Sequence, residues 1–404
     1  MPQYGVRLYR WGFNRGQKRW VGLPQGACTD ERGAYQIERV PLGRYYLGAA
    51  PGCSSEQNGA GGYPEVYYGG TSDPLRAVPV DMAPGGLVAG INIRLARVEL
   101  TTIRGTVVNL TGIRDVPIVI ALNMATGRIA APPVQGAPDG KFELRGVAPG
   151  SYVLTASLRA GNRVSDAKLA LAVGPDPMDG VRLTLRPGAT VSGTVREEGS
   201  ESAALSNYGK LTIALFSRDM LQPWTRSANV DEGGGFTLSN VPPGMCDLML
   251  LDRPSGYYLK MAWRGDVNVL DDGLDTSLID VPLQLVVSRK AARVGGLVTD
   301  DEGSPVHIPL VALVPRDPKR AAGQQWYWGA TGGGDGHYSA VVAPGKYRAF
   351  AWPYNHTPAS QDLGGGMAYM DPEFMRPFED KGVALDLSEG DSQTLDLKVL
   401  PLPY

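Results

Sequence analysis

Histidine and cysteine are scarce in this chain of 404 residues, which has three of each, and its formal net charge is only −2. The near-balanced charge argues against a nucleic-acid-binding protein, which normally carries a basic patch. Three cysteines are too few for a disulfide scaffold. None of the three histidines lies in a His-Glu-x-x-His or His-x-x-Glu motif, and no Gly-x-Ser-x-Gly or Walker-type loop occurs. No catalytic site is therefore predicted.

Long apolar runs are also missing. No stretch of about 18 apolar residues occurs, so no transmembrane helix is predicted. The first 20 residues, MPQYGVRLYRWGFNRGQKRW, lack the apolar core of a secretory signal. If the protein is exported, we expect its signal to be missing from this chain.

Turn-forming residues are abundant, with 53 glycines and 32 prolines, and 43% of residues are hydrophobic. This composition favours packed cores made of many short strands joined by tight turns. One pattern occurs four times: TDERGAYQIERVPLGRYYL (29–47), APDGKFELRGVAPGSYVL (137–154), VDEGGGFTLSNVPPGMCDLML (230–250) and TGGGDGHYSAVVAPGKYRAF (331–350). Each copy reads as an acidic turn, a strand, a Pro-Gly turn and a second strand. The repeat predicts a central β-hairpin used four times.

The turn glycines of the four copies, about 100 residues apart, are predicted to take positive φ: Gly43, Gly150, Gly244 and Gly345. The fourth copy is one residue shorter, so its turn should differ. Alternating apolar residues predict further strands in each repeat. The fold class is therefore all-β, with four tandem antiparallel β-sandwiches at residues 1–97, 98–188, 189–289 and 290–404. The short linkers favour a stiff rod.

A family resemblance rests on three elements: the Gly-x-Val strands, the T-D-x-x-G-x-Y/F turn and the P-P-G-x-Y turn. Together they resemble the carboxypeptidase regulatory-like domain, a transthyretin-like or prealbumin-like sandwich related to the B-type repeats of collagen adhesins. The resemblance covers nearly the whole chain and implies a protein of bacterial type, extracellular or in the cell envelope. It is informative about fold and almost uninformative about activity.

The first repeat lacks one predicted strand. Gly-x-Val strands containing Gly105, Gly193 and Gly296 precede the aromatic residue of the motif in the other repeats, and the equivalent place before Tyr35 falls ahead of residue 1. The first sandwich would then begin at its second strand, exposing a sheet edge. We predict this candidate subunit-interface edge at Val6, Leu8 and Tyr9. Three explanations stay open: a truncated sequence, a strand donated by another chain as in donor-strand complementation, or a domain that tolerates the loss.

Other candidate sites are few. Cys28 and Cys53 could form a disulfide, and the acidic turns at 269–275 and 299–303 are weighed as calcium sites against simple turn capping. Two long loops, 51–79 and 353–378, are candidate interaction loops through Tyr63, Tyr67, Tyr68, Trp352, Tyr354 and Phe374. Trp326 and Trp328, on one face of a predicted strand, form a candidate carbohydrate platform. The alternative is that these loops pack on their own domain.

The leading hypothesis is a non-enzymatic extracellular or envelope structural protein. It would serve as a spacer, adhesive stalk or filament subunit, with head-to-tail assembly through the open first sandwich. Expected partners are further copies of the chain or cell-surface and matrix components, with no nucleic acid and no resident cofactor. The alternative function is a carbohydrate- or peptide-binding surface protein that uses the aromatic loops.

Overall fold

The computed structural model describes residues 4–53, 63–161, 163–200, 211–219, 221–252, 256–278, 281–355 and 358–402. The protein is all-β with several sandwiches, as predicted, and its sheets are mainly antiparallel. The chain divides into two compact units. The first consists mainly of Met1–Gly12 and Arg19–Pro187, and the second of Phe13–Lys18 and Gly188–Pro403. The boundaries predicted for the four sandwiches remain predictions.

The first repeat forms one main sheet with the strand order β2-β1-β3-β4, and β5 also pairs with β3. Its elements are β1 (Tyr4–Asn14), β2 (Gln17–Cys28), β3 (Gly43–Pro51), β4 (Val66–Tyr67), a 3₁₀ turn (Pro74–Arg76) and β5 (Val80–Met82). Two predicted strands of this repeat, the motif segment 35–41 and the alternating segment INIRL at 91–95, are not strands.

The second repeat is a complete two-sheet sandwich. Its strands are β6 (Thr101–Asn109), β7 (Ile118–Asn123), β8 (Ile129–Gln135), β9 (Lys141–Val147), β10 (Gly150–Ala160), β11 (Arg163–Val173) and β12 (Met178–Leu185). One sheet has the order β11-β10-β7-β8, and the other has the order β12-β6-β9. The middle strand β6 runs parallel to β12 and antiparallel to β9. Apolar side chains from both sheets, including Ile103, Leu122 and Leu154, form one core between them.

The third repeat has the same plan, with sheets β16-β13-β21-β18-β19 and β15-β14-β17-β20. Its elements are β13 (Ala189–Glu197), β14 (Thr212–Ser217), β15 (Thr225–Asn229), β16 (Gly235–Val241), β17 (Met245–Leu250), β18 (Tyr258–Arg264), β19 (Val267–Asn268), α1 (Val269–Asp272), β20 (Leu274–Asp275), a 3₁₀ turn (Thr276–Leu278) and β21 (Leu283–Ser288).

The fourth repeat has sheets β25-β22-β28 and β24-β23-β26-β27, and β29 also pairs with β22. Its strands are β22 (Ala292–Thr299), β23 (Pro309–Pro315), β24 (Trp328–Thr331), β25 (His337–Val342), β26 (Gly345–Pro353), β27 (Val383–Leu387), β28 (Ser392–Thr394) and β29 (Leu397–Lys398). Its helices are α2 (Pro358–Leu363) and α3 (Pro372–Met375), with 3₁₀ turns at Arg320–Ala322, Gln324–Trp326, Ala368–Met370 and Arg376–Phe378.

The repeated motif is not a hairpin, which corrects the sequence prediction. The strands before and after the Pro-Gly turn lie in opposite sheets, as β9 and β10 do. The turn therefore carries the chain across the edge of the core, so that Phe142 and Tyr152 enter the same core from its two sides. Tyr152 also fixes the turn, because its hydroxyl donates to the carbonyl oxygen of Ala148 at 2.9 Å. Tyr347 makes the same bond to Ala343 at 2.8 Å.

The turn glycines behave less uniformly than predicted. Gly43 and Gly244 have positive φ, 146° and 133°, whereas Gly150 and Gly345 do not. A second positive-φ position, not predicted, lies just before the turn at Arg39 (φ 55°), Gly146 (φ 71°) and Asn240 (φ 55°). In the second and third repeats it coincides with a bulge in the ladder to the middle strand. The shorter fourth copy pairs β22 with β25 without a shift, so the missing residue is the bulge residue.

Candidate functional site: a strand-acceptor groove in the first sandwich

In the first sandwich, the described residues include the two segments that would form the outer strands of a second sheet, but they include no middle strand between them. Segments 35–41 and 91–95 correspond in the motif to β9 and β12, which lie on either side of β6 in the second repeat. No backbone–backbone hydrogen bond joins 35–41 or 87–97 to another described residue. We call the space between these two segments the acceptor groove.

One side chain crosses the acceptor groove. The Tyr35 hydroxyl donates to the carbonyl oxygen of Ile91 at 2.7 Å. The fourth sandwich contains the same bond, from Tyr338 to Leu395 at 2.7 Å, and there the middle strand passes between the two segments with Gly296 paired to Tyr338. Burial raises the pKa of Tyr35 above its ordinary value, so the hydroxyl keeps its proton as a donor at neutral pH.

The walls of the groove retain the strand pattern but are only half-buried. Tyr35, Ile37 and Val40 on one wall, like Ile91, Ile93 and Leu95 on the other, are partly buried and alternate with exposed residues. Their counterparts in the second repeat are nearly inaccessible, for example Leu144 at 1% and Leu183 at 2%. In that repeat β6 adds Ile103 and Val107 to the core. The described core of the first sandwich has no apolar side chains in the two corresponding places.

The backbone of one wall already has the conformation that a middle strand requires. Arg39 has φ 55° at the position where Gly146 and Asn240 form the bulge opposite β6 and β13. A residue with a Cβ in the left-handed region costs on the order of 1 kcal/mol. Arg39 keeps this conformation without a described ladder partner, so the wall is preorganised for pairing.

The predicted edge residues are not an edge, which corrects the sequence assignment. Val6, Leu8 and Tyr9 are buried on β1, which lies between β2 and β3. The reason is that β1 corresponds to β7, the strand that follows the middle strand in sequence but belongs to the opposite sheet. The open position lies instead between 35–41 and 91–95.

Burial contradicts the aromatic binding sites predicted at Tyr67, Trp352 and Trp326. Tyr67, Trp352 and Trp326 are buried, the first two completely. Trp326 ends a 3₁₀ turn and packs in the core of the third sandwich, whereas Trp328 begins β24 and packs against the core of the fourth. The remaining loop aromatics are partly buried against cores or other rings: Tyr63, Tyr68, Tyr354 and Phe374. In the described parts of the two loops, these aromatics pack against cores or other rings.

The long loop 353–378 shows this packing clearly. Together with Trp352 and Phe350 from β26, its residues Leu363, Tyr369 and Met375 form a separate apolar cluster. Phe374 contacts Phe13, a residue of the same unit, with ring centroids 5.4 Å apart. This part of the loop therefore packs on its own unit.

Cys28 and Cys53 form a disulfide with a Cα–Cα separation of 5.6 Å. The free thiol of Cys246 is buried, and burial raises its pKa to about 12, so this thiol is not a reactive nucleophile.

The acidic turns serve the backbone. Asp300 accepts from the amides of Glu302 and Ser304, and Asp275 accepts from that of Ser277. Within the described ranges, no three His, Cys, Asp or Glu side chains are grouped for a metal ion. His307, in a bend, and His337, the first residue of β25, are exposed, and His356 lies outside the described residues. No helix in the described part of the chain has the length and apolar character needed to cross a membrane.

A cavity of about 690 Å³ in the first unit adjoins a buried ion pair that the sequence did not signal. Arg128 contacts the Glu65 carboxylate and the Tyr67 hydroxyl, and its guanidinium lies 4.8 Å from the centroid of the Tyr9 ring. Tyr9 donates to Glu65 at 2.6 Å. Each of the two buried charges therefore has a partner of opposite sign.

Comparison with known proteins adds little. No family model matches the chain, and no curated protein matches it. Solved structures with some similarity include the Bacillus anthracis TIE protein, at 7% identity over 98% of this chain and 68% of that one, with a TM-score of 0.21. A streptococcal ancillary pilin shares 9% identity over 75% and 99%, with a TM-score of 0.21. The major pilin subunit BcpA of Bacillus cereus shares 11% over 75% and 99%, with a TM-score of 0.19. We base no inference on likenesses this weak.

Proposed function

We propose that the protein is a non-enzymatic structural protein of the cell surface or envelope, and that its first sandwich is completed by a β-strand from another polypeptide. The acceptor groove carries this proposal. Among the described residues, segments 35–41 and 91–95 have no partner strand. Their backbone donors and acceptors and their half-buried apolar side chains are therefore open to an added strand. Proteins normally cover such edges, because an open edge pairs with any suitable strand. A strand added here would form ladders on both sides.

Two further observations support an extracellular structural role. The Cys28–Cys53 disulfide is typical of an oxidising compartment. The repeats' resemblance to carboxypeptidase regulatory-like domains favours the same role. The role includes a spacer, a stalk or a filament subunit, and in a head-to-tail filament the strand would come from a second copy.

The proposal is tested by filling the acceptor groove with a strand that belongs to the same chain. Residues 1–3 are replaced by a copy of the sequence 101–117, which carries β6 and its own connection to β7, so that the graft leads into β1 as β6 leads into β7. In cells that express the protein, we expect immunogold labelling of the wild type on the surface. We expect the grafted variant to be made at the same level but released into the medium.

The matched control carries the same graft with valine in place of the glycine copied from Gly105, which should not enter the groove. This control should stay attached like the wild type. Recovery of the wild type from the cytosol, or equal retention of the closed-groove variant and the wild type, would contradict the proposal.

A further inference from the structure

We propose that the cavity of about 690 Å³ in the first unit binds an uncharged, mainly aliphatic small molecule that carries one hydrogen-bonding group. The Thr126 hydroxyl bonds that group, and exposed aliphatic side chains contact the rest of the molecule. The volume is in the range of small-molecule sites in proteins, about 300–1,000 Å³. None of the described lining residues belongs to the acceptor groove, so this site is separate from the strand-acceptor function.

Three segments form the walls of the cavity. They are the turn between β7 and β8, the Pro-Gly turn at 148–151, and residues 64–65 and 72–75 of the first repeat. In the first turn, the Met124 amide donates to the Arg128 carbonyl oxygen at 2.7 Å. The Arg128 guanidinium then joins this turn to the first repeat through its ion pair with Glu65. The cavity is therefore preformed, which lowers the cost of ordering it around a ligand.

The polar contact comes from Thr126, in the middle of the turn between β7 and β8. Thr126 lines the cavity and is only 5% exposed. Its Oγ1 atom is buried and has no hydrogen-bond partner among the described residues. Buried polar groups in native proteins nearly always have such a partner, and a hydroxyl can both donate and accept. A ligand group that donates or accepts would therefore satisfy Thr126.

The rest of the lining favours an aliphatic ligand over a planar or sugar ring. Leu75 and Ile129 both line the cavity and are 58% and 47% exposed, although both side chains are large and apolar. A ligand that covers them removes apolar surface from water, which favours binding. Among the described lining residues Tyr152 is the only aromatic one, and it is buried with its hydroxyl bonded to the Ala148 carbonyl oxygen. The described lining therefore offers no exposed aromatic face for stacking.

The charged side chains of the lining disfavour a charged ligand. Two acidic and two basic residues line the cavity, so that their charges balance: Glu65, Asp73, Arg128 and Arg145. Glu65 and Arg128 pair with each other. Arg145 pairs with Glu143 at 3.0 Å, and Asp73 caps the 3₁₀ turn that follows it. A charged ligand would lose its hydration without gaining an unpaired charge of opposite sign, which is costly.

The test uses the full chain, with 1-octanol as the probe and octanoate as its charged counterpart. Isothermal titration should show a single site for 1-octanol with a Kd of about 1 mM or below, as expected for a small probe in a preformed cavity. Octanoate at about pH 8, where it is ionised, should bind at least about 10-fold more weakly because its charge must be desolvated.

Two substitutions test the polar and the apolar part of the site. Thr126→Val removes the hydroxyl but keeps the shape of the side chain, so 1-octanol should bind about 3–10-fold more weakly, whereas Thr126→Ser should bind it like the wild type. Leu75→Asp places a charge in the apolar lining and should weaken binding at least about 10-fold. Leu110→Asp is the matched control, because Leu110 is 52% exposed in the same unit but does not line the cavity.

The Tm without ligand provides a second measurement. Thr126→Val should be no less stable than the wild type, because it removes a buried hydroxyl that has no described partner. A lower Tm would show that the hydroxyl already bonds a group of the protein, which would refute its assignment to the ligand. The inference would also be overturned by a lack of saturable 1-octanol binding, by octanoate binding as tightly as 1-octanol, or by unchanged affinity in either Thr126→Val or Leu75→Asp.

Discussion

Replacing Gly105 with alanine tests directly whether the position on β6 opposite Phe142 admits only glycine. The added Cβ would lie 2.2 Å from a backbone oxygen of β12 and 2.6 Å from the Phe142 ring, so relief requires β6 to move away from β12 or the ring to leave the core. Overpacking typically costs about 1–3 kcal/mol, and contacts with backbone favour the upper end or beyond. Alanine also reduces the backbone freedom of the unfolded chain, which stabilises the folded variant by about 0.4–1 kcal/mol. We expect a net loss of about 2–3 kcal/mol.

The assay is hydrogen exchange on the full chain, because exchange reports each sandwich separately. The slowest amides of β6 and β12 should exchange between about 30- and 140-fold faster in the Gly105→Ala variant, since each 1.4 kcal/mol corresponds to a factor of ten. Gly174→Ala, in the same sandwich, is the matched control, because a Cβ there has no atom within 4 Å. A change in the Gly105→Ala variant no larger than in the control would refute the steric reasoning for this glycine.

Three further predictions concern stability. Glu65→Gln or Arg128→Met alone should destabilise the first unit by about 3–5 kcal/mol, because each leaves a buried charge unpaired, whereas the double variant should recover most of the loss in denaturant unfolding. Replacing both Cys28 and Cys53 with serine should cost about 3 kcal/mol from the loss of a cross-link spanning 25 residues, with no additional effect of reductant on the variant's Tm. Hydrogen bonds from Lys260 and then Tyr258 lower the pKa of Glu389 to about 2, so its stabilising contribution is complete above pH 4.5 and lost as the pH falls toward 2. The Tm advantage of wild type over Glu389→Gln should shrink over that interval, and a constant difference would show that the carboxylate charge is not responsible.

Much of the fold could be predicted from local patterns. Period-two alternation and the recurring turn predicted most of the strands, because both signals arise within a few residues, whereas the division into four sandwiches stays a prediction. Among the described residues the first repeat has no middle strand, and the sequence predicts this, since the Gly-x-Val strands stand at regular positions in the other three repeats.

Sheet membership could not be predicted, because strands adjacent in sequence need not pair. For this reason the sequence predicts a hairpin for the motif and an edge for Val6, Leu8 and Tyr9, and both predictions are wrong. Burial of the loop aromatics Tyr67 and Trp352 depends on contacts with distant residues, as does the Glu65–Arg128 pair. The exposed wall residue Arg39 takes its left-handed conformation at a position where a sequence pattern would suggest glycine or asparagine.

The parallel pairing of first and last strands has a mechanical consequence. In the second, third and fourth repeats, the chain enters at the start of the middle strand and leaves near the end of a strand parallel to it. Tension on the chain would pull these neighbours in opposite directions along their length, so the ladder hydrogen bonds would share the load in shear instead of breaking one at a time. A strand seated in the acceptor groove, parallel to 91–95, would carry force in the same way. The joint between two polypeptides would then resist pulling much as each sandwich does.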